Sequence, residues 1–391
     1  MTDLASLSTT WNYPTKVLFG VGAVAKLGRA CREAGMSRPL VVTDAGMVSA
    51  PPLAAAMEVL KRDGLQASLF SEVRSNPVAA NVEAGISVLR AGGHDGVVAL
   101  GGGSGLDAGK VIAFMAGQQR PMWDFEDIGD WWTRADPAGI LPIVAVPTTA
   151  GTGSEVGRAG VITDEASHTK KIIFHPLMMP KTAILDPALT VGLPPKLTAG
   201  TGMDALAHCL EAYLAPGFHP MAEGIAVEGM RLVKEALPAA VRHGRDLAAR
   251  GRMLTASAMG AVAFQKGLGA IHSLSHPVGS VYDTHHGLTN AVFMPYVLAF
   301  NRPVIEAKLQ RLAAWLGLGS GGFDAVQGWV LALRDELGIP HTLQALGIGN
   351  NRFDELAEMA AKDPTAGGNP RPFDVTAARD LFAKAWAGEG I

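Results

Sequence analysis

The feature of this sequence that most constrains its fold is a regular alternation of apolar runs with helix-like segments, which continues to about Leu185. Runs such as "RPLVVTDAG", "DGVVALGGG" and "PIVAVPTT" are continuously apolar and β-branched, which is typical of parallel strands buried on both faces. Helical segments lie between them, for example "PPLAAAMEVLKRDG", whose prolines suit a first helical turn. The alternation predicts a doubly wound α/β domain.

After Leu185 the strand pattern stops. The stretch "PALTVGLPPKLTAG" is punctuated by proline and glycine, and from Thr198 the periodicity is helical almost to the end of the chain. We therefore predict an α/β domain over residues 1–190 and an all-helical domain over residues 191–391.

Composition limits the classes of protein. Hydrophobic residues make up 48%, charged residues 18%, and the net charge is −3 without a basic cluster, so we expect neither a nucleic acid nor a membrane as partner. The leader "MTDLASLSTTWNYPTK" lacks the pattern of an export signal, and no apolar run reaches about 18 residues. Cys31 and Cys209 are expected to be free buried thiols in a reducing compartment. The prediction is a cytoplasmic protein.

A glycine-rich turn follows one of the apolar runs. In "VVALGGGSGLDAGK" the glycines 101–103 end a strand, and Ser104 begins a helix as a plausible N-cap. Glycines let a diphosphate approach the backbone, and helix N-termini favour anions. The turn is not a Walker A loop, because Ser104 and Val111 stand where that loop needs Gly and Ser or Thr. A cofactor diphosphate is the preferred interpretation, and a plain tight turn is the alternative.

Two further strand ends carry polar groups. The run "VAVPTTAGTGSEV" offers Thr148, Thr149 and Thr152 to a ribose or phosphate, although an ordinary polar loop has the same composition. Asp44 ends an earlier strand, where it can accept hydrogen bonds from a ribose or cap a helix. As a ribose ligand it would repel a 2′-phosphate, which favours NAD over NADP.

The helical half concentrates metal-ligand types. In "GMDALAHCLEAYL", Asp204 and His208 lie four residues apart and therefore share one helix face. His272 and His276 repeat this spacing, and His285–His286 follow within the same fifteen residues. One carboxylate with imidazoles suits Fe(II), Zn(II), Ni(II) or Mn(II). The spacing alone also occurs among ordinary buried or solvated histidines.

These motifs together resemble a known family, the iron-containing or group III alcohol dehydrogenases. The similarity runs over nearly the whole chain, through "SNPVAANVEAG", "GGGSGLDAGK", "PTTAGTGSEV", "LTAGTGMDALAHCLEAY", "AFQKGLGAIHSLSHPVG", "HHGLTNAVFMP" and "GGNPRP". The resemblance implies a dehydroquinate synthase-like fold with a dinucleotide-binding α/β domain and an all-α domain. It also implies a homodimer or larger homo-oligomer that acts on a small alcohol or aldehyde.

The resemblance also implies site residues. One divalent metal, most often iron and otherwise zinc or another ion, is expected on Asp204, His208, His272 and His286. His276 is expected near the nicotinamide as a proton relay. The residues implied for NAD are Asp44, Asn76, Gly102, Gly103, Ser104, Asp107, Thr148, Thr149, Thr152 and Lys170.

His285 stands where the family commonly has proline, and the following "GLTNA" keeps His286 in the register of the ligand. Phe264, just upstream of the histidines, is a candidate wall of the substrate pocket, and a core aromatic is the alternative.

The chemistry expected of such a site is hydride transfer. The ion acidifies an alcohol hydroxyl, whose carbon then gives a hydride to NAD⁺, and the reverse reaction reduces an aldehyde. Alternatives are a reductase of a functionalised aldehyde or keto acid, of lactaldehyde, hydroxybutyrate or maleylacetate type. A dehydroquinate synthase-like lyase would need more basic residues near the histidines, and a non-catalytic binding protein would not need both ligand sets.

Overall fold

In the computed structural model, residue 13 and residues 15–167 and 169–391 are described. They form two compact units, of which the first holds Tyr13–Leu193 with Arg245–Leu254 and the second holds Pro194–Gly244 with Thr255–Ile391. The leader at residues 1–12, for which the sequence predicts no export signal, lies outside the described residues.

The first unit contains every strand of the described residues. The strands are β1 Lys16–Phe19, β2 Pro39–Asp44, β3 Ser68–Val73, β4 Gly96–Gly101, β5 Ile143–Pro147, β6 Ala159–Asp164, β7 Thr169–Phe174 and β8 Thr182–Leu185. The helices between them are α1 Leu27–Glu33, α2 Pro51–Arg62, α3 Ala79–Ala91 and α4 Gly103–Met115. Six strands form one sheet in the order β1-β8-β5-β4-β2-β3, with every pair parallel.

The central strands are buried on both faces, as their apolar runs predict. In β2, Leu40 and Val42 belong to one hydrophobic core while Val41 belongs to another, and in β4 the neighbours Val97 and Val98 divide in the same way. Successive side chains point to opposite faces of a strand, so the two cores are the two covered faces of the sheet. The predicted α/β domain with a parallel sheet is confirmed.

The order of the strands reverses between β2 and β4. These two strands are neighbours, and the chain adds β3 beyond β2 but β5 beyond β4. Helices on opposite faces diverge at such a point, which leaves a crevice at the carboxyl ends of the strands where ligands bind in open α/β sheets. The residues at these two ends are Asp44 and Gly101.

The hairpin β6–β7 is absent from the sequence-based prediction. Its two strands pair antiparallel from Ala159↔Phe174 to Asp164↔Thr169. β7 begins with Thr169, Lys170 and Lys171, and most of its side chains are only half-buried. It therefore lacks the continuous apolar run by which the other strands are identified.

The regular elements of the second unit are all helices, and its two ranges, 194–244 and 255–391, contain no strand. Its helices are α5 Pro195–Leu214, α6 Pro220–Arg242, α7 Leu247–Ala263, α8 Ala270–Tyr282, α9 His286–Trp315, α10 Gly322–Glu336, α11 Phe353–Lys362 and α12 Val375–Ala387, of which α7 begins within Arg245–Leu254. The predicted all-α half is confirmed. Among the described residues, no helix is both long enough and apolar enough to cross a membrane.

Candidate metal centre and nucleotide-binding loops

Helix α5 carries polar side chains on a helix that is buried along nearly its whole length. Asp204 and His208 lie one turn apart and are both buried. Pro195 suits the first turn, and Gly202 leaves room for Leu237 of α6. The close packing of neighbouring helices therefore holds the carboxylate and the imidazole inside the unit.

The four predicted metal ligands meet at one carboxylate oxygen. Oδ1 of Asp204 lies 4.0 Å from Nε2 of His208, 3.7 Å from Nε2 of His272 on α8, and 3.6 Å from Nε2 of His286, the first residue of α9. One ligand atom from each of Asp204, His208 and His272 can be chosen so that all lie within 4.8 Å of one another. The side chain of His286 is 25% exposed while the other three are nearly closed off, so the cluster opens on the side of His286.

The charges of this cluster depend on one another. Burial alone would raise the pKa of the Asp204 carboxyl, but the imidazoles of His208, His286 and His272 outweigh burial and hold that pKa far below its usual range. Burial alone would lower the pKa of His272, but Glu211 and Asp204 raise it to about 9. A divalent cation can take the place of the protons that the imidazoles would otherwise share with the ionised carboxylate, because metal binding releases protons from its ligands.

Two side chains of the cluster were missed by the sequence-based prediction. Glu211 contacts the ring of His272, with 2.6 Å between Oε2 and Nδ1. The amide nitrogen of Asn290 donates to Oδ1 of Asp204 at 2.8 Å and lies 3.3 Å from Nε2 of His272 and 3.2 Å from that of His286. Helical spacing was the available signal, because Glu211 lies seven residues after Asp204 and Asn290 four after His286.

His276 lies beside the cluster with a carboxylate of its own. Its Nδ1 is 2.8 Å from Oδ2 of Asp363, and its ring stacks on that of His286 with 5.3 Å between centroids. Burial would raise the pKa of Asp363, but His276 and the hydrogen bonds from Thr365 hold it below its usual range. An ionised carboxylate only accepts hydrogen bonds, so Nδ1 of His276 donates to Asp363, and Nε2 is the ring nitrogen that this contact leaves available.

His285 has a different place from its neighbour in the sequence. It is the N-cap of α9, where Nδ1 accepts a hydrogen bond from the backbone N–H of Leu288 at 3.3 Å. Burial lowers the pKa of its imidazole, and its ring packs at Gly200. This geometry favours His286 over His285 as the ligand.

Phe264 lies against the cluster from another direction. It belongs to a short 3₁₀ helix, Phe264–Lys266, and its ring centroid is 5.2 Å from that of His208. Its side chain is only partly buried. The position suits a wall beside a bound molecule better than a fully enclosed core aromatic.

In the first unit, the predicted cofactor loops converge at the carboxyl ends of β2, β4 and β5. Gly101 has φ +136, a conformation that favours glycine, and a Cβ there would be 3.4 Å from Oδ2 of Asp44. Gly102 is the N-cap of α4, and a Cβ on it would be 3.3 Å from Cγ2 of Thr149. The absence of these side chains lets the backbone of the turn face the threonine loop.

Hydrogen bonds and close packing connect the same loops. The backbone N–H of Thr148 donates to the carbonyl of Gly101 at 2.9 Å. A Cβ on Gly103 would lie 2.6 Å from Cγ2 of Thr152, whose Oγ1 accepts from the N–H of Ser154 at 3.3 Å. The threonine loop and the N-terminus of α4 are therefore held together as one surface.

Three more of the predicted cofactor residues lie near this N-terminus or on the adjoining hairpin. Ser104 donates its hydroxyl to the carbonyl of Ser75, which precedes Asn76. The next residue, Pro77, accepts from the N–H of Thr163 at 2.7 Å, and Thr163 pairs with Lys170 across the hairpin. Ser104 is therefore hydrogen-bonded to the residue before Asn76, and Lys170 pairs with a residue that is hydrogen-bonded to the one after Asn76.

Asp107 is the predicted cofactor residue whose carboxylate is already used within the protein. Its oxygens accept from the hydroxyl of Ser154 and from the N–H of Val161 at 3.1 Å, and Nζ of Lys110 is 3.2 Å away. Lys110 in turn donates to the carbonyls of Ser154, at 3.0 Å, and Ala159. The pair holds the threonine loop and the hairpin to α4.

The fold and these two groups of residues first define a class. A parallel sheet with a glycine-rich turn at its switch point suits a dinucleotide, and a buried cluster of one carboxylate and three imidazoles suits a divalent ion, so the class is a metal-dependent oxidoreductase. The family model described as iron-containing alcohol dehydrogenase matches residues 14–187, and the model of that family's C-terminal part matches residues 198–386. The chain belongs to the iron-containing alcohol dehydrogenase family.

Individual relatives agree with this membership. A 4-hydroxybutyrate dehydrogenase of Cupriavidus necator is 41% identical over 369 residues, which are 92% of this chain and 95% of that protein. An NAD-dependent methanol dehydrogenase of Bacillus methanolicus is 35% identical over 93% of this chain and 96% of its own length. A crystal structure of a 1,3-propanediol oxidoreductase superposes with a TM-score of 0.91 at 34% identity, covering 97% of this chain and all of the other. The chain is an oxidoreductase of the alcohol dehydrogenase type.

Proposed function

We propose that this chain catalyses reversible hydride transfer between a small primary alcohol and NAD, with one divalent ion held by Asp204, His208, His272 and His286. The observation that carries the proposal is the approach of three imidazole nitrogens to Oδ1 of Asp204, at 4.0, 3.7 and 3.6 Å. In a buried site this approach is expected of ligands that share an ion.

The residues present fit a divalent transition ion. Three imidazole nitrogens and one carboxylate oxygen are the donors that Fe(II) and Zn(II) accept, and no thiol takes part. The amide nitrogen of Asn290 lies within 3.3 Å of three of the four donor atoms, so the lone pairs of those atoms face one small space. Fe(II) is our first choice because of the family, and Zn(II) or another ion is the alternative.

The residues around the proposed ion have separate roles in hydride transfer. A divalent ion held there supplies Lewis acidity toward an alcohol or aldehyde oxygen, and a bound nicotinamide supplies the hydride acceptor or donor. Asp204 contributes the negative charge that would offset the ion, and the burial of Asp204 and His208 on α5 and of His272 on α8 keeps water away from these ligands. Phe264 borders the substrate next to His208.

His276 is proposed to move the proton of the alcohol. Asp363 holds its Nδ1, which leaves the lone pair of Nε2 for a proton from substrate or from a ribose hydroxyl. The stacked ring of His286 fixes the plane of His276. His276 therefore acts on protons without holding the ion.

The dinucleotide is proposed to bind the α/β domain, residues 1–190, and the ion the helical domain, residues 191–391. The support for the cofactor is the convergence of Asp44, the glycine turn at 101–103 and the threonine loop at 148–152 at the switch point. The carboxylate of Asp44 at this position favours NAD over NADP, since it repels a 2′-phosphate.

The substrate is proposed to be a short primary alcohol with a second polar group. The support comes from the relatives, among which the 41% identical protein is a 4-hydroxybutyrate dehydrogenase and two others at 35% are 1,3-propanediol dehydrogenases.

We further propose that the protein is cytoplasmic and forms a homodimer or a larger assembly of dimers. Light scattering after gel filtration tests the oligomeric state, and cell fractionation tests the location.

The proposal is tested by cofactor reduction. Metal-free protein is assayed with NAD⁺ or NADP⁺ and a panel of alcohols. The panel contains 4-hydroxybutyrate, 1,3-propanediol, propane-1,2-diol, which is the alcohol that corresponds to lactaldehyde, and simple primary and secondary alcohols. The same assays follow anaerobic addition of Fe(II) or Zn(II). NADH formed only after addition of an ion supports the proposal, and tight ion binding without turnover on any alcohol contradicts it.

Two variants separate the roles of the histidines. His272→Ala is expected to lose bound ion and activity together, because it removes a donor atom. His276→Ala is expected to keep the ion and lose rate, because it removes only the proton carrier. Metal analysis beside the rate measurement decides, and a full complement of ion in folded His272→Ala would disprove the ligand assignment.

A further inference from the structure

Glu211 is a buried carboxylate with two separate contacts, both on helix α8. One oxygen, Oε2, lies 2.6 Å from Nδ1 of His272, and the other, Oε1, accepts from the backbone N–H of Ile271 at 2.7 Å. The residue is 5% exposed and belongs to α5, the helix that also carries Asp204 and His208. One side chain therefore connects the two helices that supply three of the four proposed ligands.

The first contact sets which nitrogen of His272 carries a proton. A histidine that binds a metal through one ring nitrogen usually donates the N–H of the other to a carboxylate, and Nδ1 of His272 lies at hydrogen-bond distance from Glu211 for this role. In a neutral imidazole the other nitrogen, Nε2, then carries the lone pair. Nε2 is the atom that lies 3.7 Å from Oδ1 of Asp204, on the side of the proposed ion.

The second contact holds the start of the helix that bears His272. Gly269 is the N-cap of α8 and offers no side chain to its free N–H groups. Glu211 accepts from the N–H of Ile271, and Oδ1 of Asn369 accepts from that of Ala270 at 3.3 Å. A Cβ on Gly269 would lie only 3.2 Å from Oε1 of Glu211, so the bare glycine also makes room for the carboxylate. Negative charge is favourable at this end of a helix.

We propose that Glu211 is a positioning residue that holds His272 in the tautomer and orientation required to bind the ion. The proposal rests on the ligand role proposed above for His272. It assigns to Glu211 a part in metal affinity rather than in the chemical step, because the carboxylate contacts a ligand and not the reacting atoms. Contacts of this kind typically change metal affinity by roughly 10- to 100-fold.

The test is Glu211→Gln, which keeps the shape of the side chain and replaces one acceptor oxygen with an N–H donor. If the amide oxygen stays on Ile271, the amide nitrogen faces Nδ1 of His272 and requires Nδ1 to accept. The proton of His272 then moves to Nε2, where it occupies the position of the lone pair. If the amide group is instead rotated by 180°, its N–H donor faces the backbone N–H donor of Ile271, and no hydrogen bond forms there. Either arrangement costs a hydrogen bond that the carboxylate makes.

Asp363→Asn is the matched control, because it makes the same change beside the ring of His276, which is not a proposed ligand. Zn(II) affinity of purified protein is measured by competition with a chromophoric chelator, and the visible spectrum of the Co(II) form reports the geometry of the donors. We expect Glu211→Gln to bind Zn(II) roughly 10- to 100-fold more weakly with an altered Co(II) spectrum, and Asp363→Asn to bind as the unchanged protein does.

Unchanged Zn(II) affinity and an unchanged Co(II) spectrum in folded Glu211→Gln would overturn the proposal. Glu211→Asp provides a second test if the glutamine variant does not fold, since it keeps the acceptor chemistry but withdraws it by one methylene. A loss of affinity there supports the proposal, and wild-type affinity overturns it. Neither readout needs turnover, so inactivity on every alcohol would contradict the proposed function and leave this inference to the binding data.

Discussion

Replacing Gly287 with alanine should disturb the metal centre by separating two helices. Gly287 follows His286 in the first turn of α9, and a Cβ on it would overlap the carbonyl oxygen of Gly200 and lie 2.7 Å from that residue's carbonyl carbon and 3.1 Å from Cβ of Asp204. Carbon atoms in contact need about 3.5 Å, so the carbon contact alone would require α9 to move away from α5 by at least about 0.8 Å. Metal–ligand distances tolerate only about 0.2 Å. The donors of His286 and Asp204 would therefore no longer fit one ion.

The magnitude follows from the strain. Overpacking of this kind costs about 1–3 kcal/mol, and if ion binding bears that cost the affinity for Zn(II) falls roughly 5- to 150-fold. Chelator competition measures the affinity, and thermal unfolding of the metal-free protein measures the strain that remains without the ion.

Gly224→Ala is the control for this substitution. Gly224 is an exposed residue inside α6 with no atom within 4 Å of an added Cβ, so alanine there should stabilise the protein by about 0.5–1 kcal/mol and leave Zn(II) affinity alone. Wild-type affinity in folded Gly287→Ala would refute the argument that close approach of α5 and α9 sets the positions of the ligands.

Two more predictions concern the first unit. Asp44→Gly should raise the efficiency with NADP⁺ relative to NAD⁺ by roughly tenfold, because it removes a charge that repels a 2′-phosphate, and an unchanged ratio of kcat/KM would argue against Asp44 as the ribose ligand. Burial raises the pKa of Glu155 from 4.5 to about 7, against the smaller opposing effects of its own backbone N–H and of Lys110. The folded state thus keeps a proton that the unfolded chain releases, so the free energy of unfolding falls as pH rises from about 4.5 to about 7, by roughly 3 kcal/mol. Glu155→Gln should lose this pH dependence in urea unfolding, whereas Glu83→Gln, at an exposed site on α3, should retain it; a wild-type pH profile in Glu155→Gln would contradict the prediction.

Most of the sheet could be predicted because its strands are locally distinctive. The runs that form β2, β4 and β5 are apolar at every position, since helices cover both faces, and this pattern is visible without any knowledge of the neighbouring strands. The hairpin β6–β7 could not be predicted in the same way. Its strands include Lys170 and Lys171 and are stabilised by pairing with each other, which a local pattern does not reveal.

The candidate site divides along the same line. Asp204 and His208 could be paired from their spacing on one helix, whereas Glu211 lay on the same face without a visible reason for its presence. That reason is His272, which is 61 residues away in the chain and 2.6 Å away in space. Asn290 likewise acquires its meaning only from donor atoms on three different helices.

By itself, the sequence determined the class of fold and the chemical types of the ligands, because apolar runs, helical spacing and glycine-rich turns act over a few residues. The register of the following "GLTNA" already favoured His286 as the ligand, but only the tertiary structure showed that the neighbouring His285 caps a helix. His285 and His286 have the same side chain and neighbouring positions, so spacing and composition alone do not distinguish the two roles. The first turn of α9 directs one imidazole to the backbone N–H of Leu288 and the other to the carboxylate of α5.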